Sequence, residues 1–192
     1  MIIRITSIML FTSVIISSCT DNYTPKPKGY HRIEYPAVEY AEFSNECPFT
    51  LEYPTYGSMV LDPDPRSELC WYNLEMPIFD AKLHFSYKNI SDREVFMRLT
   101  EDARTFVYKH VVKADGIKEE VIYDTTLNKF GMFYSIEGNT ANNLQFFVTD
   151  STTHFLRGAL YFNAKPQIDS IQPVLDFVAK DIQHMLKTLE WK

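Results

Sequence analysis

Three thiols, five imidazoles and one arginine set in an apolar run are the groups with the most chemistry to offer in this sequence. The thiols are Cys19, Cys47 and Cys70. The imidazoles are His31, His84, His110, His154 and His184, and no two of them stand at a metal-ligand spacing. There is no Cys-x-x-Cys, no Gly-rich phosphate loop, no His-Glu-x-x-His and no Gly-x-Ser-x-Gly. Asp102 and Arg104, in Glu-Asp-Ala-Arg-Thr-Phe, have the types of an acid–base pair. The same spacing also serves a solvated helix face with local ion pairs. Arg157 lies within His154-Phe-Leu-Arg-Gly-Ala-Leu-Tyr-Phe162. Pointing inward it needs a partner; pointing outward it is an ordinary solvated strand residue. Asn139-Thr-Ala-Asn-Asn143 reads either as a turn between strands or as a polar contact surface. Nothing in these patterns leads us to expect a catalytic residue, a metal site or a cofactor.

Cys19 has the clearest fate. Residues 1–18, MIIRITSIMLFTSVIISS, carry one basic residue, an apolar run and two small residues. That is the pattern of a secretory signal peptide, too short to be a full membrane span. Ile16-Ser17-Ser18-Cys19 resembles the lipobox of bacterial lipoproteins, which makes Cys19 the lipidated N-terminus after cleavage. An exported protein meets an oxidising compartment, where Cys47 and Cys70 form an even pair. A disulfide between them is the economical reading, two buried free thiols the alternative. Such a bridge would contribute ~3 kcal/mol. Residues 20–29, polar with two prolines, read as an extended tether, and residues 30–192 as one globular domain. The net charge is −6 and no basic cluster remains, which argues against nucleic acid as a partner. Twelve Tyr and 14 Phe exclude a disordered chain and suit half-buried sheet faces.

The elements that must position these groups follow from hydrophobic period. Phe49, Leu51 and Tyr53 alternate with polar residues, which predicts a strand. Further strands are expected near Met59–Leu61, over Cys70–Leu74 and over Ala81–Tyr87. In the last, Leu83, Phe85 and Tyr87 share one face while Lys82, His84 and Ser86 share the other. Ser91-Asp-Arg-Glu94 has the form of a capping box. The helix after it carries Val95, Leu99, Ala103, Phe106, Val107 and His110 at helical spacing, and should stop before Asp115-Gly116. Four strand-like runs follow, Ile117–Tyr123, Gly131–Glu137, Leu144–Thr149 and Phe155–Phe162, with short turns that favour antiparallel neighbours. A second helix is predicted from a cap at Asp169 or Ser170, with Pro173 in its first turn and a broad apolar stripe through Val178, Ile182 and Met185. The expected class is α+β, a single mainly antiparallel sheet packed with two helices. The element order also resembles the α/β/α sandwich of the PsbP/Mog1-like folds.

The chain as a whole resembles the gliding motility lipoprotein GldD family of the Bacteroidetes. The match is carried by Tyr23-Thr-Pro-Lys-Pro-Lys-Gly-Tyr30, Cys47-Pro-Phe, Asp102-Ala-Arg-Thr-Phe-Val-Tyr-Lys-His110, Lys113-Ala-Asp115, Glu137-Gly-Asn-Thr-Ala141 and Gln145-Phe-Phe147. The strongest part is Thr149-Asp-Ser-Thr152 followed by His154-Phe-Leu-Arg-Gly-Ala-Leu-Tyr-Phe-Asn163. The resemblance implies a non-enzymatic accessory lipoprotein of surface gliding and the linked type IX secretion system. Its partners would be the membrane, through the lipid, and protein components of that machinery. No catalytic residues are established for the family, so none carry over. Asn139, Asn142 and Arg157 lie where the resemblance is densest and are the candidate partner interface. Asp124-Thr-Thr126, Asp150-Ser-Thr152 and Asp169-Ser-Ile171 resemble the O-glycosylation pattern of exported proteins of this phylum, which makes Thr125, Ser151 and Ser170 candidate acceptors. Cys19 is followed by Thr20 and Asp21 rather than by an extended acidic run, which favours an outer-membrane position facing the periplasm. The alternative is a periplasmic lipoprotein module that binds a small apolar ligand or glycan in an aromatic-lined pocket. An enzyme ranks third, and would need Arg157, His154 and Asp102 to converge in a deep pocket.

Overall fold

The structure, a computed structural model, describes residues 33–109, 113–163 and 168–192. Cys19, the tether, His31 and His110 lie outside the described residues. Glu34–Lys192 form one compact unit.

Short turns between alternating runs produce antiparallel neighbours throughout. Strands β3 (Ser58–Leu61), β4 (Tyr72–Met76), β5 (Ala81–Asn89), β6 (Gly116–Asp124), β7 (Lys129–Glu137), β8 (Leu144–Thr149) and β9 (His154–Phe162) form one seven-stranded sheet. Its order is β3-β4-β5-β9-β8-β7-β6, with every pair antiparallel. Helix α1 (Arg93–Tyr108) connects β5 to β6, and α2 (Ile168–Thr188) follows β9. The class is α+β with two helices, but there are two sheets where one was expected. β1 (Tyr40–Phe43), β2 (Phe49–Pro54) and β10 (Glu190–Trp191) form a separate three-stranded sheet in the order β1-β2-β10. The reason is that β2 finds both of its partners outside the main sheet. Phe43 pairs with Leu51 on one side, and Trp191 with Phe49 on the other.

The two faces of the large sheet have different cores. On one face Leu83, Phe85, Phe146, Val148, Leu156 and Leu160 pack with Phe49 and Leu51 of the small sheet and with Val178, Ile182 and Met185 of α2. On the other face α1 contributes only Ala103 and Val107 as buried residues, against Tyr134, Ile136, Phe147 and Phe155. Gly158 faces the main core, where a Cβ would stand 2.2 Å from the Phe146 ring. That contact is why a glycine interrupts an otherwise apolar strand.

The helix ends differ from expectation by small, physically clear amounts. Asp92 rather than Ser91 caps α1, taking the Val95 N–H at 2.9 Å, while the Ser91 hydroxyl donates to the Asp92 carboxylate. A carboxylate at the positive helix end gains both the bond and the dipole. The Ile168 N–H at the start of α2 donates to Asn139 Oδ1 at 2.8 Å, so Asp169 and Ser170 fall inside the helix instead of before it. Pro173 then lies within α2 rather than in its first turn. The far end of α2 is closed by the buried Lys129, whose Nζ donates to the Leu186 and Lys187 carbonyls at 2.9 and 2.7 Å. Cys47 and Cys70 are both 3 % exposed and form a disulfide, with Cα atoms 5.7 Å apart, as the even count predicted.

Candidate functional site

Helix α1 lies across β8 and β9, and its small core includes no residue of β3, β4 or β5. Half of this face is therefore left without a helix over it, and its composition is polar. Register places side chains there in transverse rows. One row runs Val60, Asn73, His84, Ala159, Gln145. The next places Ser86 beside Arg157, and Arg157 beside Phe147.

Arg157 sits at the border between the covered and uncovered halves. Its guanidinium lies 4.8 Å from the centroid of the Phe106 ring of α1, and Nη2 donates to Gln145 Oε1 at 2.6 Å. Lys109 Nζ lies 4.9 Å from the same ring. Among the described residues neither cation has a carboxylate in salt-bridge contact. Burial pulls the Arg157 guanidinium below its usual range, with Tyr161 acting the other way. A charge this buried against a neutral amide is under-compensated.

Beyond it lies a hydrogen-bonded chain. Asn73, 1 % exposed, donates from Nδ2 to Asp62 Oδ1 at 3.2 Å and presents Oδ1 to His84 Nδ1 at 2.9 Å. Since Asn73 Oδ1 is an acceptor, this network assigns the proton to His84 Nδ1. Burial lowers the His84 pKa; Asp62 opposes this, while Arg157 and Lys82 add to it. Burial opposes ionisation of Asp62, yet bonds from Ser67 and Asn73 and the nearby His84 outweigh it and hold the carboxyl below its usual range. Trp71 meets His84 edge-on at 5.7 Å, and Lys88, paired with Glu68, lies over Trp71.

The residues singled out from sequence divide between two faces. Arg157 and His154 are three apart in one strand, so strand alternation puts them on opposite sides of the sheet. His154 stacks on Trp191 at 5.2 Å and meets the Tyr87 hydroxyl at 2.8 Å. Asp102 is exposed on α1. The three do not converge. The Asn139–Asn143 loop is committed to structure: Asn139 caps α2, and Asn143 Nδ2 donates to the Ile136 and Gly138 carbonyls. Asn142 is 4 % exposed, so its amide is not presented to a partner as the contact-surface expectation required. Thr125, Ser151 and Ser170 are all exposed. Asp124 and Asp150, which precede two of them, act as turn-makers. Asp150 Oδ1 alone takes the N–H groups of Thr152, Thr153 and His154 at 2.8–3.0 Å. Sequence reading noted the polar face of β5, and Gln145 only as part of the family resemblance. It did not join Asn73, Gln145 or the loop residue Asp62 to that face, because register and the Asn73–Asp62 bond bring them there.

A separate groove of about 420 Å³ runs between β6 and the end of α2, lined by Ile122, Tyr123, Lys129, Phe133 and Leu186 among others.

A family model described as gliding motility lipoprotein GldD matches residues 20–191. The chain belongs to the gliding motility lipoprotein GldD family. Membership makes it a lipoprotein of gliding motility, associated with the cell envelope, in a family not known for enzymes. No curated protein matches the chain. Among solved structures it is similar to the solution structure of cyanobacterial PsbP (CyanoP) from Synechocystis sp. PCC 6803. That match has 11% identity and a TM-score of 0.45, and covers 93% of this chain and 99% of the other.

Proposed function

We propose that this GldD-family lipoprotein works by contact, as a scaffold or assembly factor for gliding and type IX secretion. Cys19 lipid holds it on the outer membrane, facing the periplasm. The observation that carries the reading is Arg157: a guanidinium held at the edge of α1, beside the part of the sheet that no helix covers, with only a neutral amide and an aromatic ring as described partners. Arginine flanked by aromatic side chains is the usual make-up of an interface anchor. Lysine-directed crosslinking in intact cells, followed by purification through the lipoprotein, tests it. Co-recovery of gliding or secretion components is the expected result, and their absence from the crosslinked material would refute the scaffold role.

The groove beside β6 supports a second reading, a module that binds a small apolar ligand or glycan. Mass spectrometry of the protein purified from its host decides that reading: a stoichiometric lipid or glycan in the non-covalent fraction would favour it. Thr125, Ser151 and Ser170 remain our proposed O-glycosylation sites. An intact mass equal to polypeptide plus lipid alone would remove them.

A further inference from the structure

The cations of the α1 side are not alike. Arg104 pairs with Glu101 at 3.9 Å, and the Tyr108 hydroxyl occupies Glu119 at 2.7 Å. Lys88 pairs with Glu68. Arg157 and Lys109 are brought together at one aromatic ring. Both lie within 5 Å of the Phe106 ring centroid, and among the described residues neither meets a carboxylate. Two like charges held around one ring repel each other, and that repulsion is relieved when an anion sits between or beside them. The field reaches further along the sheet, since Arg157 and Lys82 both disfavour protonation of His84. In a chain of net charge −6 this is a local positive spot.

The surroundings indicate the form of the anion. Phe106 is 43% exposed, Val60 42% and Tyr161 37%. These apolar groups share the open face with the cations, so the ligand must offer carbon as well as charge. We propose that Arg157, Lys109 and Phe106 seat a carboxylate-bearing segment of a partner protein. An Asp or Glu of that segment takes the free edge of the guanidinium, and its apolar neighbours cover Phe106 and Tyr161. This inference rests on the docking reading above and adds the chemistry of the partner. An arginine fork matches a carboxylate with two parallel bonds, which a lysine cannot reproduce.

The experiment uses the full lipidated protein in its own envelope, with a photoreactive phenylalanine in place of Tyr161. The expected product is a crosslink to a protein segment with Asp or Glu within a few residues of the attachment point. Arg157→Lys should lower its yield about tenfold or more, because truncating one side of a desolvated charge pair is costly. Lys109→Gln, at an exposed position outside both cores, should lower it as well and guards against a folding defect in the first variant. Protease resistance and an intact Cys47–Cys70 bridge are checked in each. A crosslinked segment without carboxylates, a crosslink to lipid or glycan, or undiminished yields in both folded variants would overturn the proposal. If lysine-directed crosslinking still recovers machinery proteins while position 161 captures none, the seat is wrong and the docking reading stands. If neither method captures a protein, both fall.

Discussion

Asp181 is the residue on which the two-sheet arrangement turns. It is 3 % exposed, lies on α2 and accepts the hydroxyls of Tyr40 and Tyr56 at 2.7 and 2.5 Å. Those tyrosines belong to β1 and to the turn after β2, so one carboxylate ties the small sheet to the helix. Burial first, then the bond to Asp181, raises the Tyr40 pKa to about 12 and moves Tyr56 in the same direction. For an acid whose neutral form the fold favours, the unfolded chain loses its proton first as pH rises. Stability is therefore full below the unfolded value of about 10 and falls from there toward 12. Asp181→Ala should cost about 2–4 kcal/mol in urea unfolding at pH 7, by leaving two hydroxyls without their acceptor. The alkaline fall should become shallower in the variant but remain, because burial is the larger cause. An equally steep fall would show that the carboxylate is not what holds the phenol protons. Asp181 lies at helical spacing within the stripe of Val178, Ile182 and Met185, a position that sequence analysis passed over. Its partners were not legible either, since Tyr40 lies 141 residues away. Arg157 was read as inward with a partner or outward without one. It is inward, with an amide instead of a charge as its described partner.

At the scale of elements, local patterns survived and long-range pairings did not. Every strand of the large sheet except the short β3 and β4 carries a clear alternation or apolar run, and each was expected within a few residues. β1 and β10 were missed because Tyr40-Ala-Glu-Phe43 does not alternate apolar with polar residues and two residues hold no period. One sheet was expected because a single antiparallel sheet can bury the apolar faces of both helices; β2 pairs instead with β1 and β10. The start of α1 was missed by one residue and that of α2 by two or three, the latter because the Ile168 N–H is taken by Asn139, in the loop between β7 and β8. Asn139→Ala should thus cost about 1 kcal/mol of stability through the lost cap. A purely interfacial Asn139 would instead leave unfolding unchanged while weakening partner recovery, and calorimetry beside crosslinking separates the two. The disulfide was readable from count and compartment alone. It closes a separation of 23 residues, between the start of β2 and the start of β4. Replacing both cysteines by Ala should remove about 3 kcal/mol, measured as a lower urea midpoint at pH 7. An unchanged midpoint would mean that the native contacts of Phe43 and Tyr72, 4.9 Å apart, already hold the two segments together.

For the whole molecule the question is what the anchor contributes that the folded unit does not. Both cores lie within Glu34–Lys192, so folding makes no demand on the lipid. Among the described residues no helix is long and apolar enough to cross a membrane. The lipobox pattern and the lipoprotein family place the expected membrane attachment at Cys19. Stable anchoring takes more than one acyl chain, which lipoprotein modification supplies and a bare signal peptide does not. Cys19→Ser should release the protein from membranes, with urea unfolding of Glu34–Lys192 unchanged and gliding or secretion lost. Fractionation, unfolding and motility are measured on the same cells. Continued membrane retention of Cys19→Ser would show that another segment or partner holds the protein there. Retained function in the released form would show that diffusion suffices. A partner bound through a single charged seat is held weakly, and confinement to a surface raises its effective concentration without new contacts. Loss of function on release, together with rescue when the Cys19→Ser chain is overproduced, is the pattern expected if the lipid acts through concentration alone. Loss that no amount of soluble protein restores would mean the anchor also orients the Arg157 face toward its partner.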